Sequence, residues 1–340
     1  MKIIVTGSQG FIGSYICAEL LDKGHKVVGI DNFSKYGPVV RPHDSHPNFS
    51  LLNMDICSMS ISDGDINPIF LDADYIIAGA AMIGGISYFH KYAYDLLATN
   101  ERILASTFDL AIKLNKEHDL KRILVISSSM VFENTSQYPT PEAEVKNCPP
   151  PSSTYGFQKL ASEYFCYGAY EQYGLPYTII RPFNCVGIGE DEAVGEQATT
   201  VGNIKMLMSH VLPDLIYKSF SLAPDESMPI LGEGNQIRHY TNGKDIARAI
   251  RMAIESPAAI NEDFNISSSV ATSVRELAEI VWDKIHGTKL SITPHEPYPY
   301  DVQIRSPDVT KAKEILGFET EISLNDSIDE VIEWMRAQHG

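Results

Sequence analysis

The 340-residue chain has few of the residues that metal-binding and disulfide-rich proteins need. Its five cysteines lie far apart, with no CxxC pair and no paired histidine. Scattered cysteines of this kind are typical of reduced thiols rather than of a disulfide framework or a zinc site. We therefore predict that the protein holds no metal.

Long apolar stretches are also missing. The longest candidate, YIIAGAAMIGGI, is broken by glycine, and a membrane helix needs roughly 20 apolar residues. The first residues, MKIIVTG, enter a strand pattern at once, and this pattern is too brief for the apolar part of a secretory signal. The sequence predicts a soluble, cytoplasmic protein without a membrane partner.

Positive charge is scarce, since 27 lysines and arginines face 44 aspartates and glutamates, for a formal net charge of -17. Such a field repels the phosphates of nucleic acids and anionic membranes. We expect no nucleic-acid partner. An anionic small ligand would need a local group of arginines or a helix N-terminus to overcome the field.

What the chain does contain is an alternation of short apolar runs with longer helical patterns. The runs are KIIVTG, KVVGID, FSLLNMDI, DYIIAGAA, RILVISSS and YTIIRPFN. Continuous apolar runs of this length indicate parallel strands that are covered on both faces. Helical periodicity over residues 12–23 and 92–114 supplies crossovers. The pattern predicts an α/β fold, a Rossmann-type doubly wound parallel sheet over residues 1–185.

The composition changes after residue 185. Residues 186–235 are rich in glycine, proline and acidic residues, with one helical stretch near VGNIKMLMSHVL. The segment 236–268 contains the helical pattern KDIARAIRMAIE and the strand DFNISS, which we expect to return to the sheet. A further helix opens with a capping box, Ser273 and Glu276. We predict a smaller, discontinuous C-terminal substrate lobe, mainly residues 186–340, with a ligand cleft between the lobes.

The segment VTGSQGFIG places Gly7, Gly10 and Gly13 between the first strand and the first helix. Glycine at these points allows a tight turn, close approach of a pyrophosphate and close helix–strand packing, while the helix N-terminus attracts the anion. Asp31 ends the second strand. A carboxylate there accepts hydrogen bonds from the adenosine ribose and repels a 2′-phosphate. The motif predicts NAD rather than NADP.

The spacing GxxGxxG is the form seen in the short-chain dehydrogenase/reductase superfamily. In this chain MDI at 54–56 resembles the adenine contact of that superfamily, and AGAA at 78–81 resembles its nicotinamide-side strand end, although Ala78 stands where many members have histidine. Besides the glycines and Asp31, the resemblance implies cofactor contacts at Phe11, Ile12, Asn32, Asp55, Ile56 and Ala80.

The segment SSTYGFQKLASEYF carries Tyr155 and Lys159 four residues apart, so both project from one helix face. A tyrosine with the usual pKa of about 10 is a poor base at neutral pH, but a nearby ammonium and a positive nicotinamide favour the phenolate. Lys159 can also hold the nicotinamide ribose. Ser128, in VISSSMVFEN, would share a hydrogen bond to the substrate hydroxyl with Tyr155. We predict these three as the catalytic residues.

The whole arrangement resembles the extended short-chain dehydrogenases that act on nucleotide sugars, the NAD-dependent epimerase/dehydratase family, over nearly the full chain. RPFNCVG resembles the family segment RPFNxYG, which implies that Asn184 binds the sugar or the diphosphate of the substrate. GEGNQIR and RSPDVTKA resemble two further segments and imply that Arg238 and Arg305 bind the diphosphate, for which forked guanidinium donors are well suited. The resemblance also implies a homodimer formed through helices near 92–114 and 153–173.

The residues after the catalytic serine distinguish the reactions of this family. Dehydratases carry an Asp-Glu pair after a threonine, decarboxylases a similar glutamate, and 3,5-epimerases a cysteine, where this chain has Ser129 and Met130. We assign these two residues to the substrate wall. Ser128, Tyr155, Lys159 and NAD suffice for 4-epimerisation by transient oxidation to a 4-keto sugar.

Four alternatives stay open at this point. The first two are a dehydratase and a 3,5-epimerase that uses an unrecognised base such as His90 or Cys185. The others are a 4-ketosugar reductase and a non-catalytic dinucleotide-sensing protein. Catalysis is favoured because Tyr155 and Lys159 are both present.

Overall fold

A computed structural model describes residues 1–59, 66–84, 91–190, 199–201, 204–206, 210–297 and 302–339. The helices are α1 (Phe11–Asp22), α2 (Ala93–Glu117), α3 (Thr154–Tyr173), α4 (Val211–Ser221), α5 (Gly243–Glu255), α6 (Val274–His286) and α7 (Leu324–His339). The strands, in chain order, are β1 (Lys2–Thr6), β2 (Lys26–Asp31), β3 (Phe49–Asn53), β4 (Tyr75–Ala78), β5 (Arg122–Ile126), β6 (Tyr177–Pro182), β7 (Cys185–Val186), β8 (Thr199–Val201), β9 (Ile204–Met206), β10 (Ser227–Leu231), β11 (Ile237–Arg238), β12 (Thr241–Asn242), β13 (Glu262–Ile266), β14 (Thr272–Ser273) and β15 (Ser291–His295).

Seven of the described strands form one sheet in the order β13-β6-β5-β4-β1-β2-β3, and every neighbouring pair in it is parallel. The six apolar runs of the first part and the run DFNISS all form strands of this sheet, as predicted. The fold is the predicted Rossmann-type doubly wound α/β sheet. Strand β13 lies beside β6, so the chain returns to the sheet after it has built part of the second lobe.

The sheet is apolar on both faces. Ile3 and Val5 pack on one face with residues of α1 and α5, whereas Ile4, between them, packs on the other face with residues of α2 and α3. Successive side chains of a strand point to opposite faces, so an uninterrupted apolar run gives both helix layers a surface to cover. Each fully buried aliphatic side chain contributes roughly 1.5–3 kcal/mol.

The smaller lobe has its own apolar cluster, which joins α4, α6, α7 and β10 around the fully buried Trp282. Helix α6 begins with the predicted capping box: Ser273 Oγ accepts a hydrogen bond from Glu276 N, and the Glu276 carboxylate accepts one from Ser273 N. These reciprocal bonds satisfy amide groups that a helix start otherwise leaves without partners.

The helix predicted near VGNIKMLMSHVL is wrong in its placement. Strands β8 and β9 occupy the first part of that stretch and pair antiparallel with each other, and α4 begins only at Val211. The Glu190 carboxylate accepts a hydrogen bond from the backbone N–H of His210. This bond satisfies an amide at the start of α4 from a distant part of the chain, and the local apolar spacing could not reveal it.

In the part of the chain that is described, no helix combines the length and the apolar character that crossing a membrane requires.

Candidate active site

A cavity of about 590 Å³ lies at the carboxyl ends of the central strands, between the two lobes. It opens where β1 has β2 on one side and β4 on the other, the point at which doubly wound sheets bind their ligands. All but one of the predicted site residues line it: Gly7, Gly10, Phe11, Ile12, Gly13, Asp31, Asn32, Asp55, Ile56, Ala80, Ser128, Ser129, Met130, Tyr155, Lys159, Asn184 and Arg305.

The glycine turn after β1 leaves no room for side chains at two points. Gly7 has φ +73, and a Cβ there would lie 2.8 Å from Ala80 Cα. A Cβ on Gly13 would lie 1.9 Å from the carbonyl oxygen of Gly7. Gly10 is the N-cap of helix α1 and provides no side-chain cap, and the described first turn of the helix holds no acidic side chain. Its free amides and positive end therefore suit a diphosphate, so the turn fits the predicted dinucleotide.

Asp31 is held rigidly at the same cavity. One carboxylate oxygen accepts a hydrogen bond from Phe33 N at 2.8 Å, and the other accepts one from Gln9 N at 2.9 Å. A carboxylate has about four acceptor positions, so capacity remains for two ribose hydroxyls. Farther along the cavity, Asp55 accepts a hydrogen bond from Cys57 N at 2.9 Å, which fixes the turn expected at the adenine.

Helix α3 is fixed against the segment that follows β5. Ser153 caps the helix by accepting a hydrogen bond from Gly156 N at 3.0 Å, and Glu133 accepts one from Ser153 N at 3.1 Å. Gly156 allows close contact, since a Cβ there would lie 2.9 Å from the Met130 carbonyl oxygen. This approach places Tyr155 beside the serines at the end of β5.

Ser128, Tyr155 and Lys159 come together as predicted, and each is less than 9% exposed. The hydroxyl groups of Ser128 and Tyr155 are hydrogen-bonded. Ser128 Oγ also accepts a hydrogen bond from Met130 N at 3.2 Å. Lys159 Nζ donates to the Ile126 carbonyl oxygen at 2.9 Å, which uses one of the three ammonium donors.

Burial dominates the electrostatics of the site. It raises the pKa of Tyr155, against which the Ser128 hydrogen bond and then the Arg305 charge act in the opposite direction. Burial also lowers the pKa of Lys159 to about 8. The YxxxK spacing predicted that the ammonium of Lys159 lowers the pKa of Tyr155, whereas in the structure Arg305 is the cation that does so. At neutral pH Tyr155 is therefore a phenol and Lys159 is mostly protonated.

Arg238 is the predicted site residue that does not line the cavity. Its Nη1 donates to the carbonyl oxygen of Ile237 at 2.9 Å and lies 3.5 Å from that of Gln303. It stands near Arg305, since both guanidinium charges lower the pKa of Tyr240 against the larger effect of burial. Its role toward the diphosphate stays a prediction.

Cys185 and His90 were the two alternative bases that the sequence offered, and the structure describes only Cys185. Cys185 lines the cavity, but burial, together with the charge of Glu190, raises the pKa of its thiol well above the usual range. A thiol that resists ionisation is a poor base. His90 lies outside the described residues.

Sequence reasoning missed Lys35, Tyr36 and His210, which also line the cavity. Lys35 and Tyr36 follow Asp31 within a few residues, so the loop after β2 was a usable signal. His210 comes from the start of α4, and its Nδ1 contacts the carboxylate of Glu190. Nothing in the local sequence indicates that contact.

No group of three or more His, Cys, Asp or Glu side chains within the described ranges is arranged to hold a metal ion.

Comparison with known proteins identifies the family. A model of the NAD dependent epimerase/dehydratase family matches residues 3–267. The chain is 26% identical over 351 residues to UDP-glucose 4-epimerase of Halalkalibacterium halodurans, covering 100% of this chain and 97% of that protein. It is 26% identical over 342 residues to UDP-N-acetyl-alpha-D-glucosaminuronate decarboxylase of Bacillus cytotoxicus, covering 98% of each.

A solved structure gives the same result. UDP-glucose 4-epimerase of Thermotoga maritima, solved with UDP-glucose, matches with a TM-score of 0.80 and 26% identity over 100% of both chains. Because the family model spans well over half of the chain, this protein belongs to the NAD-dependent epimerase/dehydratase family, and NAD is its cofactor.

Proposed function

We propose that the protein is a nucleotide-sugar 4-epimerase. The observation that carries this proposal is that Ser128, Tyr155 and Lys159 line the same cavity as the glycine turn and Asp31. The apolar cluster around Tyr155 consists of Leu96 and Met130, with Met82, Ile83, Tyr92 and Val302 packed against it. The site thus offers one acid/base at the reacting hydroxyl and an apolar wall beside it. The relative of Halalkalibacterium halodurans carries the name of such an enzyme.

Each catalytic residue has a separate role in the transient oxidation of the C4 hydroxyl. NAD, when bound, supplies the hydride acceptor and then the hydride donor. Ser128 holds the C4 hydroxyl of the sugar by a hydrogen bond, and Tyr155 removes its proton as the carbonyl forms. Arg305 supplies the positive charge that lowers the pKa of Tyr155, and Lys159 offers donors to the cofactor ribose. Tyr155 returns the proton when the sugar is reduced on its opposite face.

The alternatives require groups that the wall does not offer. Dehydration and decarboxylation use a carboxylate in the place of Met130, and 3,5-epimerisation uses a thiol there; a thioether transfers no proton. Decarboxylation is the second candidate reaction, because the relative of Bacillus cytotoxicus is named as a decarboxylase. A 4-ketosugar reductase would release its cofactor after each turnover, and the fixed carboxylate of Asp31 disfavours NADP, which many such enzymes use.

Turnover in heavy water tests the reaction type. We expect UDP-glucose, UDP-N-acetylglucosamine or UDP-glucuronic acid to be converted to its 4-epimer with no deuterium on any sugar carbon, because the transferred hydrogen returns to the same carbon. No external NADH should be consumed. Met130→Leu, similar in volume and polarity, should change the rate by less than about twofold. Proton NMR and mass spectrometry of the products measure the deuterium content of the sugar and the rate at which the 4-epimer forms.

Three outcomes of that experiment would contradict the proposal. Deuterium at C3 or C5 indicates carbon-acid chemistry, and steady consumption of NADH indicates a net reductase. Failure to epimerise any of the three sugars, by a protein that binds NAD and is correctly folded, would favour a binding protein.

A second prediction concerns Asp31. NAD should bind more tightly than NADP, because the fixed carboxylate accepts hydrogen bonds from the ribose and repels a 2′-phosphate. Asp31→Ala should weaken NAD and strengthen NADP, so that the ratio of dissociation constants from calorimetry approaches one. Equal affinities in the unaltered protein would remove this role. Asp22→Ala is a suitable control, because Asp22 is an exposed carboxylate at the end of α1 that pairs with Lys23 and is not among the residues that line the cavity.

The assembly and location are further parts of the proposal. Residues 1–185, with 236–268, would bind NAD, and 186–340 would mainly bind the nucleotide sugar.

Tyr94 on α2 and Tyr164 on α3 are 76% and 66% exposed, and exposed aromatic side chains on two adjacent helices suit a homodimer contact. A mass of two chains in sedimentation equilibrium is expected, and a single-chain mass at micromolar concentration would contradict it. Reduced thiols support a cytoplasmic location.

A further inference from the structure

A buried ion pair lies directly behind the catalytic residues. Glu163 on α3 and Arg181 on β6 both have fully buried side chains. Arg181 Nε donates to one Glu163 oxygen at 2.7 Å, and Arg181 Nη2 donates to the other at 2.7 Å. The forked geometry fixes both side chains. Ser127 Oγ donates a third hydrogen bond to the same carboxylate, at 2.6 Å.

The pair is compensated on its far side. Arg181 Nη2 lies 2.7 Å from the carboxylate of Asp263 on β13, which Lys311 also contacts at 2.7 Å. The charge of Glu163 raises the pKa of Arg181 despite the opposing effect of burial, so the guanidinium stays charged. Burying charges is costly unless each is paired and hydrogen-bonded. This arrangement links α3 to β6 and β13 and, through Ser127, to the residue that follows β5.

The position of Ser127 connects this network to the chemistry. The residue before it, Ile126, holds Lys159 Nζ through its carbonyl oxygen, and the residue after it is Ser128. Glu163 follows Lys159 by four residues on α3, so the two side chains lie on the same helix face. The Ser127–Glu163 hydrogen bond therefore fastens the end of β5 to the catalytic helix at the level where Ser128 meets Tyr155.

We propose that Glu163, acting through Ser127, is a positioning residue that sets the distance between Ser128 and Tyr155. Ser127 lines the cavity, but its hydroxyl is directed to Glu163, and the side chains of Glu163 and Arg181 are fully buried. The network fixes the relative placement of two elements, and a misplacement of about 1 Å at reacting groups can cost ~10²-fold in rate. The proposal rests on the proposed function for its activity measurements, so the test also includes a measurement that needs no turnover.

Ser127→Ala removes one hydroxyl and leaves the ion pair intact. We expect the turnover number to fall by about 10- to 100-fold, with the KM of the sugar and the affinity for NAD changed less than about twofold. The pKa of Tyr155 should rise, because the Ser128 hydrogen bond that lowers it is weakened. Ser127→Ala leaves unaltered Arg305, whose charge also lowers this pKa, and Lys159, which lines the same cavity. The pKa of Tyr155 is obtained from a pH titration of phenolate absorbance. The part of the signal that belongs to Tyr155 is the difference between each protein and the same protein with Tyr155→Phe.

Two further variants separate positioning from stability. Ser219→Ala is the control, because Ser219 is equally buried and donates to the Leu215 carbonyl oxygen at 2.8 Å in the other lobe; it should affect stability alone. Glu163→Gln keeps an acceptor for Ser127 but removes the charge that faces Arg181. We expect it to lower stability strongly and, where folded protein is recovered, to lower turnover less than Ser127→Ala does.

A Ser127→Ala protein with unchanged turnover and unchanged pKa of Tyr155 would overturn the proposal, whatever happens to its stability. If the unaltered protein epimerises no sugar but Ser127→Ala still raises the pKa of Tyr155, the positioning role stands and the proposed function falls. If Glu163→Gln does not fold, Ser127→Ala decides alone.

Discussion

Replacing Tyr155 with phenylalanine is expected to lower the turnover number by at least ~10²-fold, the usual scale for loss of a general acid/base. The ring stays in its apolar cluster with Leu96 and Met130, so folding and NAD affinity should barely change. Stopped assays of 4-epimer formation measure the rate, and calorimetry measures NAD binding. Tyr170→Phe is the matched control, because Tyr170 lies on the same helix and is 46% exposed.

The pH dependence sharpens this prediction. Burial raises the pKa of Tyr155, so the base form is scarce at neutral pH and the rate should climb with pH until the phenol ionises. The Phe variant should lose that limb, and its residual rate should be flat in the same range. A Phe variant with near-normal turnover, or one that keeps the rising limb, would reduce Tyr155 to a packing residue.

Much of this architecture could be predicted from the sequence because its causes are local. An apolar run buried on both faces leaves no choice between the two faces of a strand, so the seven central strands were predictable. The Ser273 capping box likewise involves residues only three positions apart. The glycines and the YxxxK spacing lie on single elements, and the topology of the sheet brings those elements to one edge.

The errors and omissions have tertiary causes. Helix α4 starts where Glu190 caps His210, across 20 residues of chain. Arg305 influences Tyr155 because a loop of the second lobe folds over the cavity, and Arg238 turns to backbone carbonyls beside it. Their motifs identified the residues, but only the packing of the two lobes determines which guanidinium reaches the cavity. The Ser127–Glu163 hydrogen bond could not be predicted either, because it joins residues that are 36 positions apart in the chain.

The largest structural effect is expected at Gly13. In Gly13→Ala the new Cβ would lie 1.9 Å from the carbonyl oxygen of Gly7 and 2.8 Å from its carbonyl carbon, distances that no side-chain movement can relieve. Helix α1 must therefore move away from the turn after β1. We expect the free energy of unfolding to fall by about 3 kcal/mol or more, at the upper end for overpacking. Chemical denaturation monitored by circular dichroism measures it.

The same displacement should weaken NAD by at least ~10-fold, since a loss of 1.4 kcal/mol of binding free energy corresponds to a factor of ten and the amides of α1 face the diphosphate only in the observed position. Gly168→Ala is the control with the opposite sign. Gly168 also lies inside a helix, but a Cβ there meets nothing within 4 Å, so alanine should stabilise the protein by roughly 0.5–1 kcal/mol and leave NAD binding unchanged.

If both glycines tolerate alanine equally, the contact between α1 and the glycine turn is looser than described, and the turn is no cradle for a diphosphate. If Gly13→Ala costs stability but spares NAD affinity, the glycine serves packing alone, and the diphosphate depends on other groups.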